Sequence, residues 1–217
     1  MSTTITSRVT NTNDDASRDN FAGSWTFHLN DAVVKVGVQY WNGLKQYMGG
    51  SGMRFANITI PKSYIILSAK ITFTASSSLN VDTVNSQLRG ELSANAAVFS
   101  TDADFTGRTR TAAQVAWDVI GHWLFTGTYD SIDISPIIQE IVNQGTWVSG
   151  NALVIFWDDF DDRSTHAANC CRTAECANTD PLVAPLLTVT YKAPATGGGG
   201  GILTGVGGLL IARRVIR

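Results

Sequence analysis

The chain has 217 residues, a formal net charge of −2, 44% hydrophobic residues and 16% charged residues. This length fits one domain of generous size, or one domain and a tail, with enough apolar residues for a packed core. The near-neutral charge and scattered basic residues argue against a nucleic-acid partner, and the low charged content is typical of secreted β-proteins and virion proteins.

The first twenty residues are polar and contain neither a basic segment nor an apolar run. A secretory signal is therefore not expected at this terminus. A protein without such a signal stays where it is made or leaves by another route. Assembly into a virus particle that is released by lysis is one such route.

Seven short segments are rich in β-branched and aromatic residues, largely with apolar and polar positions alternating. Turn residues separate them, which predicts an antiparallel β-sandwich or barrel. The segments are 23–30, 33–40, 53–61, 64–76, 86–95, 152–159 and 185–192.

One helix is predicted over about 136–144, with Ser135 as its N-cap, Pro136 at its first position and Gly145 beyond its end. One face of this helix is apolar, which predicts a core element that closes one end of the sandwich. The residues of that face are Ile137, Ile138, Ile141 and Val142. Two long loops are expected, at about 105–129 and about 158–181.

Two groups of acidic residues are candidates for a structural calcium site, because Ca²⁺ takes six to eight oxygen ligands from carboxylates and loop carbonyls. The first group precedes the strand at 23–30, and the second follows the strand at 152–159. The alternative is that they are turn residues. The candidate ligands are Asp14, Asp15, Asp158, Asp159, Asp161 and Asp162.

All three cysteines lie within seven residues, at positions 170, 171 and 176. A disulfide between Cys176 and Cys171, or Cys170, is one interpretation, and three free thiols in a reducing compartment is another. A zinc site that includes His166 is a third interpretation, although adjacent cysteines suit one ion poorly.

Neither an enzyme motif nor a nucleophile beside a histidine is evident, so an enzyme is not expected. Sugar rings stack on exposed aromatic faces. Trp41 and Trp123 lie in glycine-bearing segments and are the candidates for glycan stacking, whereas Trp25, Trp147 and Trp157 are interpreted as packing residues.

The composition changes after about residue 192, which divides the chain into a domain at 1–192 and a tail at 193–217. The tail is glycine-rich, then apolar, then basic. Its uncharged run is shorter than the roughly 20 residues of a spanning helix, so a membrane is not the expected partner. The tail is instead expected to dock on a partner chain. Its docking residues would be Ile202, Leu203, Val206, Leu209, Leu210, Ile211, Arg213 and Arg214.

The segment GMRFANITIPKSYIILSAKITFTA, at 52–75, resembles a recurring element of the DNRLRE-type, carbohydrate-binding-module-like β-sandwich domains. Further similar segments follow in the same order, at 108–119, 133–157 and 184–191, so the resemblance covers about 9–192. It implies a jelly-roll sandwich that serves as an accessory module of large surface proteins, some of them sugar binders.

These features together predict a structural virion protein of a bacteriophage, as a fibre, neck, tail or capsid-decoration component. Its partners would be other virion proteins or copies of itself. The alternatives are an extracellular module that binds surface polysaccharide, and a cell-surface protein held in a membrane by its tail.

Overall fold

The computed structural model describes residues 1–41, 44–79, 83–159 and 161–195, without the side chains of positions 40, 41 and 44–48. In these ranges the chain forms twelve strands and two short helices. In chain order they are β1 (Ser2–Arg8), β2 (Asp15–Phe21), β3 (Ser24–His28), β4 (Val33–Trp41), β5 (Leu44–Phe55), β6 (Ile65–Thr74), β7 (Val84–Glu91), α1 (Asp102–Gly107), β8 (Arg110–Ile120), β9 (Thr128–Asp130), α2 (Ser135–Val142), β10 (Leu153–Asp158), β11 (Cys170–Glu175) and β12 (Leu186–Lys192).

The strands form two antiparallel sheets. The smaller sheet has the order β1-β12-β6-β9, and the larger follows β11-β4-β5-β10-β7-β8, with β2 paired to β5 and β3 paired to β2. Met53 of β5 lies opposite both Asp15 of β2 and Ile155 of β10, which places β2 and β10 on opposite sides of β5. The prediction of an all-β, antiparallel sandwich-like fold is confirmed, and the jelly-roll connectivity stays a prediction.

The main core fills the space between the two sheets. Phe73 of β6 faces Trp157 of β10 across it, with ring centroids 4.7 Å apart. Both side chains are buried because each lies on the face of its strand that is directed between the two sheets. Helix α2 closes one end of this core with the four buried apolar residues that the sequence predicts.

The start of α2 differs from the prediction, because its N-cap is Ile134, which makes no side-chain cap hydrogen bond. Ser135 instead donates its amide and its hydroxyl to the carboxylate of Asp133, at 3.1 and 2.7 Å. Because the Ser135 hydroxyl bonds to the Asp133 carboxylate, it does not cap the helix as the sequence pattern predicts.

A second, smaller core lies on the outer face of the larger sheet. It consists of Ala16, Ala96, Phe99, Phe105, Val154 and Phe156, with Phe27 and Leu29 packed against it. Helix α1 covers it and is capped by Thr101, whose hydroxyl accepts from the amide of Asp104. Strand β10 is therefore buried on both faces.

Both predicted long loops contain regular structure. The first holds the end of α1 and all of β8, and the second holds β11, which pairs with β4 from Cys170 opposite Val38 to Glu175 opposite Val33. Strand β11 is buried along nearly its whole length, so its sequence lacks the alternation of a strand with one wet face. The described part of the chain also has two helices rather than one.

No helix within the described ranges is long and apolar enough to cross a membrane.

Candidate functional site

The end of β8 and its connection to β9, residues 119–127, carry three exposed apolar side chains. Val119, Leu124 and Phe125 are 73%, 62% and 59% exposed. A single exposed apolar residue is normal on a soluble protein, whereas three of them within seven residues are a candidate contact surface. We call residues 119–127 the apolar pole.

Two residues of the apolar pole have strained backbones. Val119 has φ +54° and Thr126 has φ +64°. Among the described non-glycine residues with positive φ, these two are the β-branched ones, and β-branched residues rarely adopt this region. Such a conformation costs about 1–3 kcal/mol and persists only where neighbouring structure imposes it.

A β-bulge imposes the conformation of Val119. Val84 lies opposite Ile120 and Ser86 lies opposite Trp117, so two residues of β8 oppose the single residue Asn85. The side-chain oxygen of Asn85 accepts from the Val119 amide at 2.9 Å. The bulge therefore turns the Val119 side chain towards solvent.

Hydrogen bonds hold the tip of the apolar pole. The Leu124 amide donates to the Tyr129 hydroxyl at 2.7 Å, and the Phe125 amide donates to the Ser78 hydroxyl at 3.0 Å. The Gly127 amide donates to the Leu124 carbonyl at 2.8 Å. A Cβ at Gly127 would lie 2.9 Å from that carbonyl oxygen, so the close turn requires glycine.

The base of the apolar pole is rigid. Trp123 stacks on Tyr129 at 4.8 Å with an interplanar angle of 7°. The fully buried Arg172 donates to the carbonyls of Ile120 and Gly121, each at 2.8 Å. A cleft of about 300 Å³ lies over this base. Its lining residues are Trp117, Val119, Ile120, Gly121, His122, Trp123, Tyr129 and Asp130.

This arrangement presents a preformed apolar surface beside an aromatic-floored cleft. A rigid surface loses little conformational entropy when a partner packs on it. The sequence signal is the run His122–Phe125 between Gly121 and Gly127, from which the glycan-stacking prediction selects Trp123. The structure reverses that choice, because Trp123 is the buried residue and its two successors are exposed.

The prediction that Trp123 stacks on a glycan is therefore wrong. Trp123 is 2% exposed and belongs to the aromatic packing beneath the apolar pole. The other candidate, Trp41, ends β4, and its side chain lies outside the described part of the molecule.

Trp25, interpreted from the sequence as a packing residue, is 45% exposed. The guanidinium of Arg18 lies 4.4 Å from its ring centroid, a cation–π distance. Arg18 also lines a cleft of about 240 Å³ with Phe105, Thr106, Arg108 and Arg110. The sequence pattern does not predict this aromatic and basic surface. The alternation of apolar and polar residues in a hairpin cannot show which of its faces another segment covers.

The structure does not bring the two predicted calcium-binding groups together. Asp15 lies opposite Met53 of β5, whereas Asp158 lies opposite Gly50 on the other side of that strand. Two strand spacings and three residues of offset separate the two backbones by roughly 14 Å. Within the described residues, no three His, Cys, Asp or Glu side chains are arranged to hold a metal ion.

Local contacts occupy most of these carboxylates. Asp14 pairs with Arg54 at 2.7 Å, and Asp159 accepts from the amides of Arg163 and Ser164. Asp161 accepts from Gln87 at 2.7 Å, and Asp162 contacts His166. Asp158 is buried at the end of β10.

A buried charged cluster is formed by Asp19 of β2, Lys35 of β4 and Asp31, which lies just before β4. The Lys35 ammonium is 2.8 Å from the Asp19 carboxylate and 2.7 Å from that of Asp31. Burial lowers the pKa of Lys35, but the hydrogen bonds to both carboxylates outweigh it and raise that pKa above its usual value. This cluster is a structural ion-pair network. The spacing of these residues in the sequence does not reveal it.

Asp15 lies at the edge of this cluster and is nearly fully buried. Burial raises its pKa to about 7, although the Ala177 amide donates to its carboxylate and opposes that shift. The neighbouring charges of Asp14 and Asp31 raise the pKa further.

The predicted disulfide between Cys171 and Cys176 is not formed, and Cys170, Cys171 and Cys176 are free, buried thiols. Five residues of extended strand separate the two sulfur-bearing residues by roughly 16 Å, whereas bridged Cα atoms lie within about 7 Å. Burial raises the pKa of Cys171 to about 12 and also raises that of Cys176. The zinc interpretation fails for the same reason of spacing, since the described residues hold no such cluster.

The proposed docking residues of the tail, from Ile202 to Arg214, lie outside the described residues, which end at 195.

Comparison of the chain with protein-family models and with curated proteins gives no match. The resemblance to DNRLRE-type domains stays a prediction.

Proposed function

We propose that this protein is a non-enzymatic structural component of a virus particle, in which the apolar pole docks on a neighbouring subunit. The observation that carries the proposal is the exposure of Val119, Leu124 and Phe125 on a hydrogen-bonded loop with two strained residues. Strain that neighbouring contacts impose is characteristic of functional surfaces.

One further feature supports an intracellular assembly route. The three cysteines are free and buried, which fits folding in a reducing compartment.

The test uses Val119→Asn, because asparagine tolerates positive φ and is polar. The variant should be at least as stable as the wild-type protein in thermal unfolding, since strain is relieved. The wild-type chain should be recovered by mass spectrometry in nuclease-resistant particles released from cells that carry the gene, and the variant should be depleted from them. Absence of the wild-type chain from every particle fraction would sink the proposal.

The alternative function, binding of surface glycans, is favoured by one observation: the exposed ring of Trp25 against Arg18. An open aromatic ring beside a cation is a suitable surface for a sugar ring. Trp25→Ala should abolish retention on a glycan array if this function holds, and Trp41→Ala is the comparison variant. Equal retention of wild-type and Trp25→Ala protein would reject the Trp25 site.

A further inference from the structure

We infer that the amine of Lys35 and the carboxyl group of Asp19 condense to a side-chain amide bond, which joins β2 and β4 covalently in the folded protein. Asp31 is the base that takes protons from the amine. This inference concerns the domain itself and does not depend on the proposed function. It starts from the buried charged cluster, in which Lys35 contacts both carboxylates.

The two reacting groups are already within reach of each other. The Lys35 nitrogen lies 2.8 Å from one oxygen of Asp19. It therefore lies within about 4 Å of the carboxyl carbon, because the carbon–oxygen bond is only about 1.2 Å long. Reacting atoms in a near-attack geometry are about 3–3.5 Å apart, and well-oriented groups react as if at a concentration of roughly 10⁵–10⁸ M. A small shift of the lysine side chain thus completes the approach.

Burial favours the amide over the ion pair. The side chains of Lys35 and Asp19 are 7% and 5% exposed. Two charges removed from water carry a desolvation penalty that their mutual attraction does not always offset. The amide is neutral, so its formation removes this penalty. Lys70 and Asp130 provide the contrast, because both side chains of that pair are nearly half exposed and their charges stay hydrated.

Asp31 is placed to deprotonate the amine. Its carboxylate lies 2.7 Å from the Lys35 nitrogen. Burial lowers the pKa of Lys35, but the hydrogen bonds to both carboxylates raise it above its usual value. The amine is therefore held in its protonated form, and it becomes a nucleophile only when a neighbouring base removes a proton.

Hydrogen bonds distinguish the base from the group that is attacked. The Ser17 hydroxyl and the Ala32 amide donate to Asp31, each at 2.8 Å. Burial raises the pKa of Asp31, but these bonds and the Lys35 ammonium outweigh it and lower that pKa, so Asp31 remains a carboxylate. The Asp31 side chain is also 23% exposed. Loss of its charge would therefore relieve less desolvation than loss of the charge on Asp19.

The condensation conserves atoms and charge. A bond forms between Lys35 Nζ and Asp19 Cγ, and the bond from Cγ to the oxygen that faces Lys35 breaks. Two of the three ammonium protons pass through Asp31 to this oxygen, which leaves as water, and the third stays on the amide nitrogen. Asp31 ends as a carboxylate. The His28 ring lies 3.3 Å from the other Asp19 oxygen, where its protonated form stabilises the negative charge of the tetrahedral intermediate.

The bond fastens a part of the larger sheet that has few partners. Within the described part of the molecule, β3 pairs with β2 alone. The amide closes residues 19–35, which contain β3, into a covalent ring. Such a ring restricts the unfolded chain and so stabilises the folded one. Unlike a disulfide, the amide needs no oxidant, which suits a chain whose three cysteines are free thiols.

Peptide mapping of the purified full-length chain detects the bond. Trypsin cleaves an unmodified chain after Arg18, Lys35 and Lys45, but it does not cleave after an acylated lysine. The wild-type protein, denatured and digested, should yield peptide 19–45 with a mass lower than that of the linear peptide by one water molecule. Its fragmentation spectrum should lack products of a single backbone break between positions 19 and 35. Cleavage after Lys70 should be complete, because that amine stays free.

Three variants test the assigned roles. Lys35→Arg keeps the positive charge without a nucleophilic amine, and Asp19→Ala removes the attacked carboxyl group. Both should yield linear peptides 19–35 and 36–45. Asp31→Asn keeps both reacting groups and removes the base, so at least tenfold less of the ring-closed peptide should form in the same time.

Other outcomes would overturn the inference, and the wild-type digest decides it even if a variant fails to fold. Complete cleavage after Lys35 in the wild-type protein would show that the pair remains ionic. A cleavage-resistant peptide that does fragment between positions 19 and 31 would place the bond on Asp31. Equal bond formation in the wild-type protein and Asp31→Asn would remove Asp31 from the reaction.

Discussion

At the scale of single residues, two tryptophans exchange the roles that the sequence assigns to them. Trp123 was expected at the surface and is buried against Tyr129, Trp117, Phe73 and Trp157. Trp25 was expected in the core and is exposed under Arg18. Whether a tryptophan is covered depends on strands remote in sequence, which local alternation does not describe.

Truncating these two tryptophans should have different costs. Trp123→Ala removes a buried indole and should lower the free energy of unfolding by about 3–5 kcal/mol. Trp25→Ala loses mainly a cation–π contact and should cost about 0.5–1 kcal/mol. Urea unfolding of both variants measures the difference, and equal costs would contradict the assigned positions.

Asp15 should make stability depend on pH. Its folded-state pKa of about 7 lies above its ordinary value of 3.8, so the folded state holds the proton more tightly. Protonated Asp15 contributes roughly 4 kcal/mol to the free energy of unfolding. This contribution is fully present below about pH 4 and is lost as the pH rises through 7.

Asp15→Asn keeps the shape and removes the titration. The free energy of unfolding of the variant, measured relative to that of the wild-type protein in urea titrations, should increase between pH 4.5 and pH 8. Asp130→Asn is a suitable control, because the Lys70 hydrogen bond lowers the pKa of that exposed carboxyl instead. Parallel curves for wild type and Asp15→Asn would rule out a buried, titrating Asp15.

At the scale of elements, β11 shows how burial hides a strand from sequence patterns. Its residues 170–174 are all buried, because it pairs with β4 and is covered on both faces. Alternation is the signal of a strand with one wet face, and β11 lacks that signal. The same cysteines that suggested a bridged or metal-binding loop are therefore packing residues of a strand.

The cysteines should be unreactive in the folded protein and all reactive once it unfolds. Burial raises the pKa of Cys171 to about 12, and a thiol that stays protonated is a poor nucleophile. A disulfide reagent at pH 8 should titrate almost no thiol in the native protein and three in urea without reductant. A count of one in urea would indicate a disulfide, and rapid native labelling would contradict the burial.

At the scale of the whole molecule, the larger sheet separates two cores of unequal depth. The main core involves both sheets and α2, whereas the smaller core is covered by residues 94–109 together with Phe27 and Leu29. Arg108 fastens this cover. Its guanidinium pairs with Glu91 and Asp104 and donates to the carbonyls of Ala97 and Val98.

Arg108→Ala should loosen the cover before the rest of the molecule. Loss of these hydrogen bonds should lower stability by about 2 kcal/mol. Hydrogen exchange should accelerate in residues 94–107 while β10 stays protected, because a locally opening segment exchanges independently of the main core. Arg89→Ala, at an arginine whose guanidinium contacts Gln87 instead of the cover, tests specificity. Uniform acceleration across both regions would contradict a separate unit.

The sequence by itself determined the β class, six of the strands, the last three residues of β5 and the buried face of α2, because each of these is a local pattern of alternation, helical periodicity or turn residues. The predicted strand at 53–61 is wrong beyond Phe55, where β5 ends. The same patterns identified the cysteines and acidic residues but not their surroundings. Tertiary structure decided that β8 and β11 are strands, that Trp123 is covered and that Val119, Leu124 and Phe125 are not. The physical reason is that burial and backbone strain are set by chain segments far apart in sequence. The bulge at Val119, for example, is held by Asn85 of the neighbouring strand, whose side-chain oxygen accepts from the Val119 amide.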